Sequence, residues 1–340
     1  MAQEKTTAVA ATTRTETTRW ARDRPGRWTA GESWGTRGRV TAVAAVLTAG
    51  LLAFHRAVPN TVGGLGSVLE SFLPWLGLLI VVLILVAALR RSVPALVAVL
   101  LPVAVWTDRF GGLLLPEPEA APGELVVVQH NVSDENPDPA GTARALADAE
   151  PDLIALEELV PPALEVYRRT LAADYPHHAV SGTVGLWSRH PLSEVRPLDI
   201  KPEGITEPWN RGLRALVSTP RGELAAYVAH LPSIRVGASG LASAWRDESA
   251  RRLGAAISAE RQERVLLLGD LNGTVDDRGM SPLTARLDTP ERGFAFSFPA
   301  SFPVARIDQV LTRSATVTHI GTLPPTASDH LPVVARIDPE

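Results

Sequence analysis

Polar or acidic side chains stand at the ends of five strand-like apolar runs in the second half of the sequence, where hydrophobic patterning does not require them. They are Asn131, Glu158, His230, the pair Asp270 and Asn272, and the pair Asp329 and His330, and Asp308 lies inside a further run of this kind. Side chains at the ends of several strands can converge on one cleft while the strands hold them in place. These residues therefore form the candidate active site.

The residue types in this set favour metal-assisted hydrolysis of a phosphate ester. Carboxylate and amide oxygens, here those of Glu158, Asp329 and Asn131, suit a hard cation such as Mg²⁺ or Mn²⁺, which polarises a phosphate and offsets the charge that develops on it. The two histidines and the Asp-x-Asn pair can then supply proton transfer and orientation. The sequence predicts Mg²⁺ or Mn²⁺ as the cofactor.

The elements that must position these residues are short β-rich runs, which alternate with helical patterns from Leu125 onward. The strand-like runs are LVVVQHN, DLIALEE, GLRALVS, ELAAYVAHL, RVLLLGD, RIDQVL and PVVARI, and helical patterns lie around residues 141–149 and 241–260. Strands that alternate with helices indicate an α/β domain.

Seven short motifs carry the candidate residues. In chain order they are QHNV, LEE, SGTVGLWSRHPL, YVAHL, GDLN, RIDQVL and SDHLPV. With these motifs in this order, the sequence resembles the endonuclease/exonuclease/phosphatase superfamily. The resemblance implies phosphoesterase activity and a four-layered α-β-β-α sandwich over residues 123–338.

The resemblance also implies a role for each residue. Glu158 would be the principal metal ligand and Asp329 a second or water-mediated ligand, while Asn131 would orient the phosphate or the metal shell. Asp270 would activate the attacking water, and Asn272 would hold the phosphate or the water. His330, oriented by Asp308, would stabilise the transition state, and His230 would act on the opposite face of the phosphate.

Several of these residues also have a purely structural interpretation. Asn131 and Asn272 could be turn residues. Asp308 could pair with Arg306 on a strand surface, which contributes little to stability. His230 could be a half-buried histidine with a satisfied hydrogen bond. The motifs favour the functional interpretation in each case.

Two positions depart from the superfamily pattern. Glu157 replaces the usual Gln of the LQE motif and would add a negative charge near the metal, and strand alternation alone cannot tell which of Glu157 and Glu158 points inward. Ser133 stands where the nuclease branch often has an acidic residue, so this motif gives no support to a second metal site. Three further histidines of the domain lack metal-ligand spacing, and we interpret them as structural or surface residues: His177, His178 and His190.

Charge is distributed unevenly along the chain. Residues 1–39 carry eight Lys or Arg against four Asp or Glu, residues 40–110 carry four against two, and residues 111–340 hold ten more acidic than basic groups. Proteins that bind nucleic acid usually present a basic surface to the phosphates. The acidic domain therefore makes nucleic acid an unfavourable partner. The chain has no cysteine, which excludes disulfides and thiolate metal sites.

The first third of the chain reads as a tail followed by a membrane anchor. Residues 1–38 have the composition of a disordered, Arg-rich tail. The stretch Leu73–Leu89 is uncharged and close to the ~20 residues that span a bilayer. Val40–Phe54 and Val93–Trp106 are shorter, and buried core helices are the alternative for these two. We predict three transmembrane helices within residues 39–110 and a Pro-rich linker over 111–122.

The positive-inside rule orients this anchor. The Arg-rich tail precedes the first span and Arg90 and Arg91 follow the second, which predicts that both lie in the cytoplasm. Three spans then deliver the catalytic domain outside the cell. If only two of the stretches cross, the domain is cytoplasmic instead.

The short tether favours a substrate in the membrane, because it raises the effective concentration of the site against lipids. The layout of the whole chain resembles the VanJ-type membrane proteins linked to teicoplanin resistance. That resemblance implies hydrolysis of undecaprenyl diphosphate at the outer leaflet. The alternatives are a surface nuclease, a sphingomyelinase-like phosphodiesterase and an inactive membrane-bound binding protein.

Overall fold

A computed structural model describes residues 38–61, 63–237 and 240–339. The predicted N-terminal tail lies outside the described residues, except for Gly38. Within these described residues, four α-helices precede the sheets: α1 (Arg39–Ala53), α2 (Leu65–Ser71), α3 (Leu76–Leu89) and α4 (Val93–Phe110). Short 3₁₀ turns cover His55–Ala57, Leu73–Trp75 and Gly112–Leu114. Each of the three apolar stretches of the sequence thus forms a helix.

The three longer helices pack into one bundle. A Cβ atom added at Gly38, before α1, would lie 1.7 Å from Ser92 Oγ, so the start of α1 meets the α3–α4 turn. At the other end, the indole N–H of Trp75 donates to Val304 O at 2.7 Å. The bundle therefore has one end at Arg90 and Arg91, and its other end packs against the β-sheet domain that begins at residue 125.

The outer faces of the bundle are apolar. Many Val, Leu and Ile side chains of α1, α3 and α4 are exposed, and an apolar surface of this kind marks a contact with a membrane or a partner. Among the described residues, Val93–Phe110 alone is long and apolar enough to cross a membrane as a single helix. Leu65–Ser71 and Leu73–Leu89 meet the same criterion only together, and they are bent by 67° at the break between them. By length and composition alone, this is weak evidence for membrane association.

Two β-sheets form the centre of the domain from residue 125 onward. The strands of the first sheet are β1 (Leu125–Asn131), β2 (Leu153–Glu157), β3 (His177–Ser181), β4 (Val184–Ser188), β12 (Thr316–Thr322) and β13 (Val333–Asp338). Those of the second are β5 (Leu192–Pro197), β6 (Gly212–Thr219), β7 (Gly222–Ala229), β10 (Val265–Asp270) and β11 (Asp308–Arg313). The strand order is β12-β13-β1-β2-β4-β3 in the first sheet and β11-β10-β7-β6-β5 in the second. A separate hairpin joins β8 (Arg235–Gly237) to β9 (Gly240–Ala242).

Helices cover the outer face of each sheet. The inner faces pack on one another through residues such as Val127, Leu186, Val228 and Leu268. The first sheet is covered by α5 (Pro139–Ala147) and α6 (Ala163–Leu171), and the second by α7 (Ala244–Ser258) and α8 (Ser281–Thr284). The predicted four-layered α-β-β-α sandwich is confirmed.

A buried polar contact fixes the helical region to the catalytic domain. The carboxylate of Glu70 in α2 is fully buried and accepts from Arg278 Nε at 2.9 Å, Arg278 Nη2 at 3.0 Å and the backbone N–H of Arg278 at 2.9 Å. His55 Nδ1 lies 3.1 Å from the same carboxylate. Beside it, Ser67 Oγ donates to Asp277, which binds the buried guanidinium of Arg246 at 2.7 Å. This contact is made with the loop that follows Asn272.

Removing the carboxylate of Glu70 tests this contact. We expect Glu70→Ala to lower the free energy of unfolding by roughly 2–4 kcal/mol, because it leaves Arg278 without its buried counter-charge. Thermal unfolding of the full chain in detergent micelles measures the effect. The matched control is Glu203→Ala, which removes a carboxylate that is 88% exposed and lies 3.7 Å from Arg252. Equal melting temperatures for the two variants would contradict a structural role for Glu70.

Candidate active site

A buried carboxylate–histidine pair joins the two sheets. Asp308 is the first residue of β11 in the second sheet, and His330 lies in the loop before β13 of the first sheet. Asp308 Oδ2 is 2.8 Å from His330 Nδ1 and accepts from Ser297 Oγ at 2.5 Å. Asp308 Oδ1 accepts from Gln129 Nε2 of β1 at 3.1 Å. Both oxygens of the carboxylate are therefore bound, and His330 Nε2 is left to face the site.

The pair keeps His330 positively charged. Burial by itself would lower the pKa of this imidazole, but the charge of Asp308 and its hydrogen bond outweigh burial and raise the pKa to about 10. Burial likewise opposes ionisation of Asp308, and the charge of His330 reverses that effect and holds the Asp308 pKa below its usual value. His330 is thus a cation at neutral pH that can donate a hydrogen bond to a phosphoryl oxygen. The alternative surface pair with Arg306 does not form, since Asp308 is fully buried.

Asp270 ends β10 in the middle of the site. Its Oδ2 accepts from Asn131 Nδ2 at 3.0 Å and lies 3.8 Å from His330 Nε2 and 3.7 Å from His230 Nε2. Burial and the neighbouring charge of Asp308 raise the pKa of Asp270 to about 7, against the opposing charge of His330. A carboxyl with a pKa near neutrality suits a general base.

The neighbouring strand can approach Asp270 closely because residue 269 is glycine. Gly269 has a φ of +155°, and a Cβ atom there would lie 1.9 Å from Ala229 O of β7. Any side chain at this position would push β7 and β10 apart. The close approach carries His230, which follows β7, to the side of Asp270.

Glu158 faces the site because its backbone departs from the extended conformation of the strand. Its φ is +60°, a left-handed conformation that non-glycine residues seldom adopt outside strained or functional positions. This turn places Glu158 Oε1 3.9 Å from His230 Nε2, while its Oε2 accepts from the backbone N–H of Asp134 at 3.2 Å. Arg211 adds a cation on this side, with Nη1 3.5 Å from His230 Nδ1.

Glu157 points inward as well. Its carboxyl is fully buried and accepts from Gln129 Nε2 at 2.7 Å. Burial, reinforced by the charges of Asp308 and Asp270, raises the pKa of Glu157 well above its usual value. Burial therefore opposes the negative charge that we expected from the sequence at this position.

Glu158, Asp270 and His230 carry donor atoms of the types that bind divalent cations. His230 Nε2 is buried, has no hydrogen-bond partner among the described residues and faces two carboxylates. Burial lowers the pKa of His230 to about 3, helped by the charge of Arg211, so its ring is neutral. Asp270, Asp308 and His330 also lie close enough together to hold an ion, but Asp308 is saturated by hydrogen bonds and His330 is cationic.

The other predicted residues lie at the margin of this space. Asn131 Oδ1 accepts from the backbone N–H of Ser133 at 3.0 Å, and Asn131 Nδ2 donates to Asp270. In this arrangement Asn131 positions the base. Asn272 also has a left-handed φ, +47°, and its Nδ2 donates to Leu231 O at 3.0 Å. Asp329 is exposed, and its charge helps to raise the pKa of His330. The metal-ligand roles of Glu158, Asn131 and Asp329 remain predictions.

Four residues of the site were not predicted from the sequence. Gln129 supports Asp308, and the polar residue in the apolar run LVVVQHN could have revealed it. Ser297 and Phe298 lie in a segment with no regular pattern, and the Phe298 ring packs 4.8 Å from that of His330. Arg211 precedes β6, and nothing in the sequence distinguishes it from other arginines in loops.

Comparisons with known proteins identify the family of this chain. The model of the endonuclease/exonuclease/phosphatase family matches residues 128–330. The chain belongs to this family. No match was found among curated proteins. Members of the family are hydrolases that act on phosphate esters or phosphodiesters.

Solved structures share the fold of this family member at low sequence identity. A humanized D. rerio TDP2 is 20% identical to this chain, with a TM-score of 0.53. The match covers 63% of this chain and 99% of the TDP2 chain. A family protein from Beutenbergia cavernae is 21% identical, with a TM-score of 0.53, and the match covers 63% and 71%. Beta toxin from Staphylococcus aureus is 14% identical, with a TM-score of 0.51 and coverage of 62% and 99%. These likenesses establish the fold alone.

The charge of His330 can be measured in the metal-free full chain. We expect its pKa near 10 in the wild type and a much lower pKa in Asp308→Asn, because burial lowers the pKa and only the charges of Asp270 and Asp329 then oppose it. NMR titration of the imidazole C–H resonances, assigned by comparison with His330→Gln, measures both values. The control Asp148→Asn changes an exposed carboxylate and should leave the pKa of His330 unchanged. The same pKa in Asp308→Asn and wild type would refute the electrostatic role of Asp308.

Proposed function

We propose that this chain is a membrane-anchored, divalent-metal-dependent phosphoesterase that hydrolyses a lipid phosphate or diphosphate. The observation that carries the proposal is the position of Asp270, a carboxyl with a pKa of about 7 that lies within 4 Å of both a cationic and a neutral histidine. This arrangement provides a base, a proton donor and a metal-facing nitrogen around one small space. A binding protein without activity would have no need of such a base.

Each side chain has one task in the proposed reaction. Asp270 takes a proton from the attacking water, and Asn131 holds the Asp270 carboxylate in place through its amide nitrogen. His330 donates a hydrogen bond from Nε2 to a phosphoryl oxygen, and Arg211 attracts the phosphate from the side of His230. A bound Mg²⁺ or Mn²⁺, held by Glu158 with His230 and Asp270 nearby, would supply Lewis-acid polarisation of the phosphate.

The acidic charge of the domain and the membrane anchor both favour a lipid substrate over DNA. The residues after 110 hold ten more acidic than basic groups, and an acidic surface opposes binding to a polyanion. The apolar bundle packs directly on the catalytic domain, with Glu70 bound to the loop that follows the catalytic Asp270 and Asn272 motif. A site fixed this close to apolar helices meets lipid head groups at high effective concentration.

Undecaprenyl diphosphate is the best candidate among such lipids. The candidate rests on the resemblance of the chain's layout to the VanJ-type membrane proteins, and it would link the activity to teicoplanin-type resistance through the lipid carrier of cell-wall synthesis. Sphingomyelin and DNA are the competing substrates, and a protein of the same fold, D. rerio TDP2, has been solved in complex with a single-stranded DNA product.

The proposed topology has three spans, with the N-terminus in the cytoplasm and the catalytic domain outside the cell. It is supported by the position of Arg39, Arg90 and Arg91 at the end of the bundle remote from the domain, as the positive-inside rule requires. The helices α1 and α3 are shorter than a typical span, so each would use flanking residues to cross.

A panel of substrates tests the activity. We expect the wild type to release phosphate from a lipid diphosphate with Mg²⁺, to lose this activity in EDTA, and to lose at least 100-fold in kcat/KM on Asp270→Asn, since the general base is removed. Asp174→Asn replaces an exposed carboxylate and serves as the control. Phosphate release measures the rate, and circular dichroism checks the fold of both variants. Cleavage of DNA or sphingomyelin with no action on the lipid diphosphate would overturn the proposed substrate.

Cysteine labelling tests the topology, because the chain has no native cysteine. Ser193 and Arg90 are both exposed, one on the catalytic domain and one at the far end of the bundle. We expect an impermeant thiol reagent to label Ser193→Cys in intact cells, and to label Arg90→Cys only after the membrane is opened. The reverse pattern would place the domain in the cytoplasm.

A further inference from the structure

A cavity of about 490 Å³ lies where the helical bundle meets the catalytic domain. One wall is formed by α3 and α4, with Val81, Ile84 and Trp106 among its residues, and the opposite wall by Phe294 and Phe296 of the domain. Its lining is almost wholly apolar. Pockets of this size hold small ligands, and this lining admits a hydrocarbon better than any polar group.

One short segment contributes to both the cavity and the active site. Phe296 lies in the cavity wall, with its ring 5.3 Å from Trp75 and 5.3 Å from Phe294. Phe298, two residues later, packs against His330. Consecutive residues advance the chain by at most about 3.6 Å, so the two phenylalanine Cα atoms are within about 7 Å. Ser297 between them is hydrogen-bonded to Asp308.

The helices that line the cavity are also those that expose apolar side chains. Leu78 and Val81 are exposed on α3 beside the cavity. Trp75 and Trp106 lie at the end of the bundle nearest the domain, and tryptophan is enriched at the level of lipid head groups. A lipid chain could therefore pass from a bilayer around the bundle into the cavity without crossing water.

We propose that this cavity binds the hydrocarbon chain of the substrate while its phosphate occupies the site at Asp270 and His330. The inference rests on the proposed function and narrows it to phosphates that carry a long apolar chain. The occupant is the chain of the substrate itself, because the cavity and the site share the segment from Phe294 to Phe298. The cationic His330 and Arg211 attract the phosphate, and the apolar cavity attracts the chain.

Two neighbouring valines provide a matched pair of variants. Val81 lines the cavity and is 51% exposed, whereas Val82 does not line it and is 52% exposed. Val81→Trp fills part of the cavity, and Val82→Trp adds the same bulk to the same helix at a position that does not line the cavity. The substrates are isoprenyl diphosphates with one and with three isoprene units, assayed with the full chain in detergent and Mg²⁺.

We expect the wild type to prefer the longer substrate by at least tenfold in kcat/KM, since each buried methylene strengthens binding about fourfold. Val81→Trp should reduce the ratio of long-chain to short-chain kcat/KM at least tenfold, and Val82→Trp should preserve it. A wild type that hydrolyses both substrates equally, or two variants with the same ratio, would overturn the cavity proposal and leave the proposed function standing.

A binding measurement separates failure of the cavity proposal from failure of the proposed function. Hexylphosphonate and methylphosphonate differ only in the chain, and calorimetric titration in Mg²⁺ does not depend on turnover. We expect tighter binding of hexylphosphonate to the wild type and to Val82→Trp, and at least tenfold weaker binding to Val81→Trp. Inactivity on both diphosphates with this binding pattern would overturn the proposed function alone. Equal binding of the two phosphonates to the wild type would overturn the cavity proposal.

Discussion

The site depends on one buried carboxylate that is bound from both sheets. Asp308 belongs to the second sheet, while Gln129 comes from the first and His330 from the loop that enters the first. A buried charge is costly unless it is paired and hydrogen-bonded, so the two sheets must meet in one register for Asp308 to be satisfied. The same contact raises the pKa of His330, and the resulting positive charge opposes the rise in the pKa of Asp270. Packing and chemistry are thus set by one interaction.

Most of the buried strands were predicted from the sequence, but the fully buried β4 was not, and the exposed elements were predicted poorly. LVVVQHN corresponds to the whole of β1, because a run of apolar residues is typical of a strand that is buried on both faces. In contrast, β5 is largely exposed and has no apolar run, and it was not among the predicted strands. The short α2 also has no local signal. Its buried Glu70 binds Arg278, more than 200 residues away, and no local pattern contains such a partner.

The candidate site was predictable in its residue types but not in its geometry. Short motifs identify Asp270, Asp308 and His330, and these three lie together in a buried cluster. The inward direction of both Glu157 and Glu158 could not be predicted, because the left-handed φ of Glu158 breaks the alternation on which strand patterns depend. The raised pKa of Glu157 depends on burial between the sheets, which a sequence does not express.

The contact between Glu70 and Arg278 has a consequence for how such a chain can evolve. Domains joined by an exposed linker can be exchanged between proteins, because few contacts cross the boundary. Here the helical region provides a buried counter-charge to the loop beside the site, so the catalytic domain is incomplete without its own helices. Fusion of this domain to a foreign membrane segment would leave Arg278 unpaired. The helices and the domain must therefore be inherited together, as one unit of recombination.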